Sequence, residues 1–163
     1  MCFEKKISAN FTIIGEMPLS VVAHYRKYCT FTGEIKSVEV MKKYYKNSDF
    51  ILITSMREGF PLVVMEAMAY GVIPISTKVG GIPFHIKSWD NGILIENETE
   101  LDMVKKILEI IKKVNKEPSI VKKMSFNAYQ YAVENFGPTS FCNKYNQLIQ
   151  IKSLSKTPKN ENT

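Results

Sequence analysis

Phe50-Ile51-Leu52-Ile53-Thr54 runs without a charge or an alternation into Ser55-Met56-Arg57-Glu58-Gly59-Phe60. A strand with one wet face alternates apolar and polar residues. An unbroken apolar run instead reads as a strand covered on both faces, as in a parallel sheet between helix layers. Residues 61–70 then read as a helix, with Pro61 suited to its first turn and Gly71 to its end. The same unit recurs upstream. Phe11-Thr12-Ile13-Ile14 stops at Gly15 before a helix over residues 18–28. Cys29-Thr30-Phe31-Thr32 stops at Gly33 before a helix over residues 37–45, with Ser37 as its cap and Val40 and Met41 facing inward. Residues 72–77 and 92–96 read as two more strands. Strands alternating with helices imply βαβ units, a parallel sheet, and right-handed crossovers that set helices on both faces. The expected class is α/β, with a Rossmann-like sheet.

Beyond Asn97 the pattern is helical only. Residues 99–114 form an amphipathic repeat with Leu101, Val104, Ile107, Leu108 and Ile111 on one face. Residues 117–134 and 139–154 read as two further helices, and residues 155–163 as a polar tail. Residues 1–154 are thus read as one domain, a size that can bury a core.

Composition narrows the function classes. Cys2, Cys29 and Cys142 are odd in number and scattered, which argues against a disulfide framework and a zinc site and makes a reducing cytoplasm the default. There is no signal-peptide layout and no apolar run of the roughly 20 residues a membrane span needs. The net charge of +6 comes largely from lysine pairs on helical segments. Those read as solvated faces, not a nucleic-acid patch, because no aromatic-basic interleaving accompanies them. A weak attraction to an anionic membrane surface, at its inner face, stays compatible with the charge.

In parallel sheets, ligands bind beyond the carboxyl ends of the strands. Four loops lie there: Gly15-Glu16-Met17, Gly33-Glu34-Ile35, residues 55–60 and residues 78–83. The third leads into a helix whose first amides and dipole favour an anion such as a diphosphate. Pro61 cannot donate, which leaves Phe60, Leu62 and Val63. Glu66 is the odd residue of that helix. Its neighbours Leu62, Val63, Val64, Met65, Ala67 and Met68 are apolar nearly all round, so the helix reads as buried. A buried carboxylate is costly unless hydrogen-bonded. Two adjacent sugar hydroxyls would satisfy it, and so would protein donors or water. Glu58 lies in the turn, where it is either a helix cap or partner of Arg57, or an acceptor for hexose hydroxyls that favours positive charge on an anomeric carbon.

Glu58 and Glu66, with seven residues between them and joined through Gly59-Phe60-Pro61, resemble the signature of the large retaining glycosyltransferase family with the GT-B fold. Ser48-Asp49, Thr54-Ser55, Glu66-Ala67-Met68-Ala69-Tyr70-Gly71, Val79-Gly80-Gly81-Ile82-Pro83 and Asn91-Gly92 fit that family in order and spacing, as do Phe11 to Glu16 and Phe31-Thr32-Gly33. The likeness covers roughly residues 9–152. It implies the C-terminal, donor-binding domain of a GT-B fold with a helical C-terminal end. Glu66 would bind the nucleotide ribose and Glu58 the transferred sugar. The backbone of Gly59, Phe60, Pro61, Leu62 and Val63 would hold the diphosphate and hexose, and Ile35 would lie against the base. The implied substrate is a UDP-, GDP- or ADP-sugar, with no metal and no cofactor. His24 and His85 lack ligand-like spacing and read as surface or packing residues.

Two departures from the family carry weight. Phe84-His85 stands where the family has a glutamate. The family's donor domain also opens with a further strand and helix bearing an arginine and a lysine, preceded by an acceptor-binding domain. Neither is in this sequence, so the expectation is a donor-binding part that is inactive alone, either completed by an acceptor domain or retained as a non-catalytic binding module. The last helix is then expected to expose Phe141, Tyr145 and Leu148.

Overall fold

The computed structural model describes residues 9–154. Along it run β1 (Phe11–Ile13), α1 (Leu19–Tyr25), β2 (Cys29–Phe31), α2 (Val38–Lys46), β3 (Phe50–Ile53), α3 (Leu62–Ala69), β4 (Ile73–Thr77), α4 (Ile82–His85) and β5 (Ile93–Ile95). Three helices follow: α5 (Glu100–Lys116), α6 (Pro118–Phe136) and α7 (Pro138–Leu154). Every strand pair is parallel, so the α/β class holds. The strands nevertheless form two ladders, β1-β2 and β3-β4-β5. No residue of β1, α1 or β2 is buried.

The larger ladder is covered on both faces. Ile73 and Ile75 of β4 and Ile93 and Ile95 of β5 pack with Ile110 and Val114 of α5 and Met124 of α6. On the opposite face, Ile53 and Leu94 meet a cluster of Val64 and Met68 from α3, Ile82 and Ile86, and Ala128 and Ala132 of α6. α6 thus spans both layers. The strand at the centre, β4, is buried along its whole length. β3 is an edge strand, so its reading as covered on both faces is corrected: Leu52 is 42% exposed.

Helix ends follow local chemistry. The Ser37 hydroxyl accepts from the Val40 amide, and Thr99 caps α5 by accepting from the Asp102 amide. Gly71 takes φ 73° at the end of α3, a left-handed turn glycine adopts without strain. Two inward faces differ from expectation. Val40 is 40% exposed, and Tyr45 with Met41 forms the inner side of α2. On α5 the buried seam is Met103, Ile107, Ile110 and Val114, while Leu101 is 52% exposed and Val104 37%. That helix is apolar over so wide an arc that either stripe is amphipathic, and packing against β4 and β5 selects one. Single-turn α4 begins within the loop read over residues 78–83 and runs past its end, a helix not expected because four residues carry no period.

Most of the paired lysines are exposed, and several lie in surface ion pairs such as Lys105 with Asp102 and Lys106 with Glu109. Among the described residues, no helix is long and apolar enough to cross a membrane.

Candidate functional site

Residues 55–60 carry the chain from the carboxyl end of β3 to α3, and three contacts hold them. The Thr77 hydroxyl donates to the Ser55 carbonyl at 2.6 Å, tying the loop to the end of β4. The Gly81 amide donates to the Gly59 carbonyl at 2.6 Å. The Phe60 ring packs on His85 and Phe136, with centroids 4.3 and 5.4 Å away. Gly80 explains why glycine stands in this brace: its φ is 56°, and a Cβ there would overlap the Glu58 carbonyl oxygen.

The braced loop borders an open cleft of about 540 Å³ lined by Met56, Arg57, Glu58, Gly59, Val79 and Gly80. Glu58 is half-buried and Arg57 exposed. Among the described residues neither is hydrogen-bonded or ion-paired, so Glu58 is not spent on Arg57. It does not cap α3 either: the helix starts after Pro61 with no side-chain cap. The Val64 amide turns back to the Pro61 carbonyl at 3.0 Å. The Leu62 and Val63 amides come earlier, where helix geometry supplies no acceptor. The loop thus carries a carboxylate in the cleft and, three residues on, leads into an uncapped helix start, a sequence of groups that suits a ligand carrying both hydroxyls and an anion.

Glu66 requires a correction. α3 packs on α6 and β4, meets Tyr45 of α2 through Ala67, and is open on the side of Leu62. Val64, Ala67 and Met68 are fully buried, whereas Leu62 is 70% and Val63 39% exposed. Glu66 shares that open side and is exposed. It is not a stranded buried acid: its Oε2 accepts from the Tyr45 hydroxyl at 2.9 Å. Among the described residues no buried side-chain polar atom lacks a partner. The apolar composition of α3 does not translate into all-round burial, because residues such as Leu62 face outward.

Tyr45 is a site residue that the sequence reading missed. It is buried against Ala67, Val72, Met41 and Ile51 and stacks on Tyr70 at 5.7 Å. Burial first, then the hydrogen bond to Glu66, pushes its phenol well above the usual range, so it remains a donor at neutral pH. The available signal was its place four residues after Met41 on α2.

The remaining loops meet elsewhere. The Gly15 amide donates to the Gly33 carbonyl at 2.9 Å, which joins the first two. Ile35, just beyond, is half-buried. His85 is half-buried, its Nδ1 lies 3.0 Å from the Tyr131 hydroxyl, and its pKa is lowered by burial and then by Lys144. Phe84 beside it is 85% exposed. His24 is exposed. Among the described residues no three His, Cys, Asp or Glu side chains converge as a metal site.

Comparison with known proteins matches the site region. The sequence profile of the family described as Glycosyl transferases group 1 covers residues 4–130. A trehalose synthase of Pyrococcus horikoshii is 35% identical over 106 residues, covering 65% of this chain and 24% of that protein. The crystal structure of Anabaena Alr3699/HepE in complex with UDP superposes with a TM-score of 0.72 at 16% identity, over 87% of this chain and 41% of that one. The C-terminal domain of a glycosyl transferase group 1 family protein (LpcC) from Francisella tularensis gives 0.68 at 22% identity, over 83% and 74%. The two structures are alike in fold. The chain spans only 24% to 37% of the length of curated relatives such as the trehalose synthase.

Proposed function

The chain belongs to the glycosyl transferases group 1 family, and we propose that it is the donor-binding part of a glycosyltransferase that moves a hexose from a nucleotide-sugar with retention of configuration. One observation carries the reading: a Glu58 carboxylate with no partner among the described residues lines a cleft at the carboxyl end of β3, and the chain runs from that cleft straight into the uncapped start of α3. The diphosphate sits against the Leu62 and Val63 amides, where the helix dipole stabilises the charge of the departing nucleotide. Glu58 accepts from the sugar hydroxyls and favours positive charge growing at the anomeric carbon. Glu66, one turn into α3, takes the ribose hydroxyls, and Ile35 flanks the base. Each role needs only this chain's own groups, without a metal or cofactor.

The donor is a UDP-, GDP- or ADP-sugar. UDP is the first to test, since the Anabaena fold neighbour was solved with it. The acceptor comes from a facing domain, and α7 supports that arrangement. Phe141 and Tyr145 are 70% and 57% exposed and stack at 6.2 Å, an apolar surface suited to packing. Leu148, expected to join them, lies in α7, and its side chain is not among those described.

The test is calorimetric titration of UDP, GDP and ADP into the chain, with Glu66→Ala as control. Saturable binding of one nucleotide, weakened in the variant, is the expected result. No binding of any of the three, even after fusion to an acceptor-binding domain, would remove the reading. Unchanged binding by the variant would remove the role of Glu66.

A further inference from the structure

We propose that Tyr45 is a positioning residue that aims Glu66 at the ribose hydroxyls of the bound nucleotide; this rests on the nucleotide-sugar reading of the site. The contrast between the two partners motivates it. Glu66 is exposed on an open helix face, where a glutamate samples many rotamers and loses conformational entropy when a ligand fixes it. Tyr45 is 8% exposed and held by a stack on Tyr70 and by packing on Ala67 and Val72. Its hydroxyl reaches out of that pocket to a single carboxylate oxygen, Oε2.

The tether settles which oxygen is free. Ionised glutamate only accepts, at both oxygens. With Oε2 engaged by a fixed phenol, Oε1 is left for an incoming donor, and Oε2 retains capacity for a second. Two adjacent hydroxyls match that pair of acceptors, whereas one hydroxyl uses half of it. The phenol stays protonated across the neutral range, so it keeps donating to Oε2. A preorganised acceptor also binds more tightly than one ordered on binding.

The test compares UDP, GDP and ADP with their 2′-deoxy counterparts on the full chain, in the parent and in Tyr45→Phe, with melting temperature recorded. The phenylalanine keeps the ring and removes the hydroxyl. The parent is expected to prefer the ribonucleotide. Tyr45→Phe is expected to weaken that ligand by roughly fivefold to tenfold, as for loss of a charge-assisted contact, and to weaken the deoxy form, which keeps one of the two hydroxyls, clearly less. In a Glu66→Ala background, which has no side-chain acceptor, the tyrosine substitution is expected to add nothing, as one shared interaction requires. Tyr45→Met serves if the phenylalanine variant does not fold. An unchanged ribo-to-deoxy ratio, or equal losses for both ligands, would overturn the positioning role and leave nucleotide binding standing. A parent that binds but does not discriminate overturns it too. A parent that binds none of the nucleotides removes the site reading, and this proposal with it.

Discussion

Gly80→Ala separates two costs that the structure keeps distinct. Gly80 has a φ of 56°, and an added Cβ would overlap the Glu58 carbonyl oxygen and come within 2.9 Å of the Gly59 carbonyl oxygen. Gly33 has a similar φ of 70°, with nothing within 4 Å of the same hypothetical atom. Left-handed backbone costs an L-residue about 1–2 kcal/mol, the only penalty Gly33→Ala incurs. Gly80→Ala adds the displacement of backbone that cannot rotate away, about 1–3 kcal/mol by analogy with overpacking. The total is about 3 kcal/mol, which at about 2–4 °C per kcal/mol for a chain of this size lowers the melting temperature by about 6–12 °C. Gly33→Ala should lose roughly half as much or less. Thermal unfolding of both variants by circular dichroism measures the difference. Nucleotide titration follows the second effect, because the displaced backbone carries Glu58. Equal melting losses in the two variants would show that the brace between the glycine turn and the 55–60 loop is not tight.

Other expected outcomes test the packing and the site surroundings. Ile110→Ala should cost about 2–5 kcal/mol in urea denaturation, since it opens a cavity beneath α5, whereas Leu101→Ala should stay within about 0.5 kcal/mol; the reverse order would restore the stripe expected from sequence. Thr99→Ala should cost about 1 kcal/mol by loss of the α5 cap, with Thr99→Asn close to the parent. His85 has its pKa held below the ordinary 6.5 by burial and Lys144. The unfolded chain therefore binds this proton more readily, so stability is full above about pH 6.5 and falls as pH drops below it. Urea midpoints at successive pH values should show that slope in the parent and a shallower one in His85→Gln.

Element order was legible in the sequence because its signals are local. Glycines end the strands, Ser37 and Thr99 cap helices, and Pro118 and Pro138 open them. The position of the 55–66 segment at a strand-to-helix turn was legible for the same reason. Non-local facts were not. The run at residues 50–54 has the composition of a central strand, yet β3 ends its ladder, because composition does not state which neighbours a strand finds. α3 looks apolar on every side in sequence, but Leu62, Val63 and Glu66 lie on its open side. Tyr45 carried no motif. Its relation to Glu66, 21 residues later, exists only once α2 and α3 pack together.

The sparse burial of the opening βαβ unit bears on where the domain keeps its interior. Along the described residues, the first buried hydrophobic side chain is Tyr45. The described residues before α2 form a two-stranded ribbon and one short helix, an assembly that is marginal on its own in water. Isoleucines of β4 and β5 must meet α5 and α6 before there is an interior to join. The opening βαβ unit thus brings almost no interior of its own and leans on the half that carries the buried clusters.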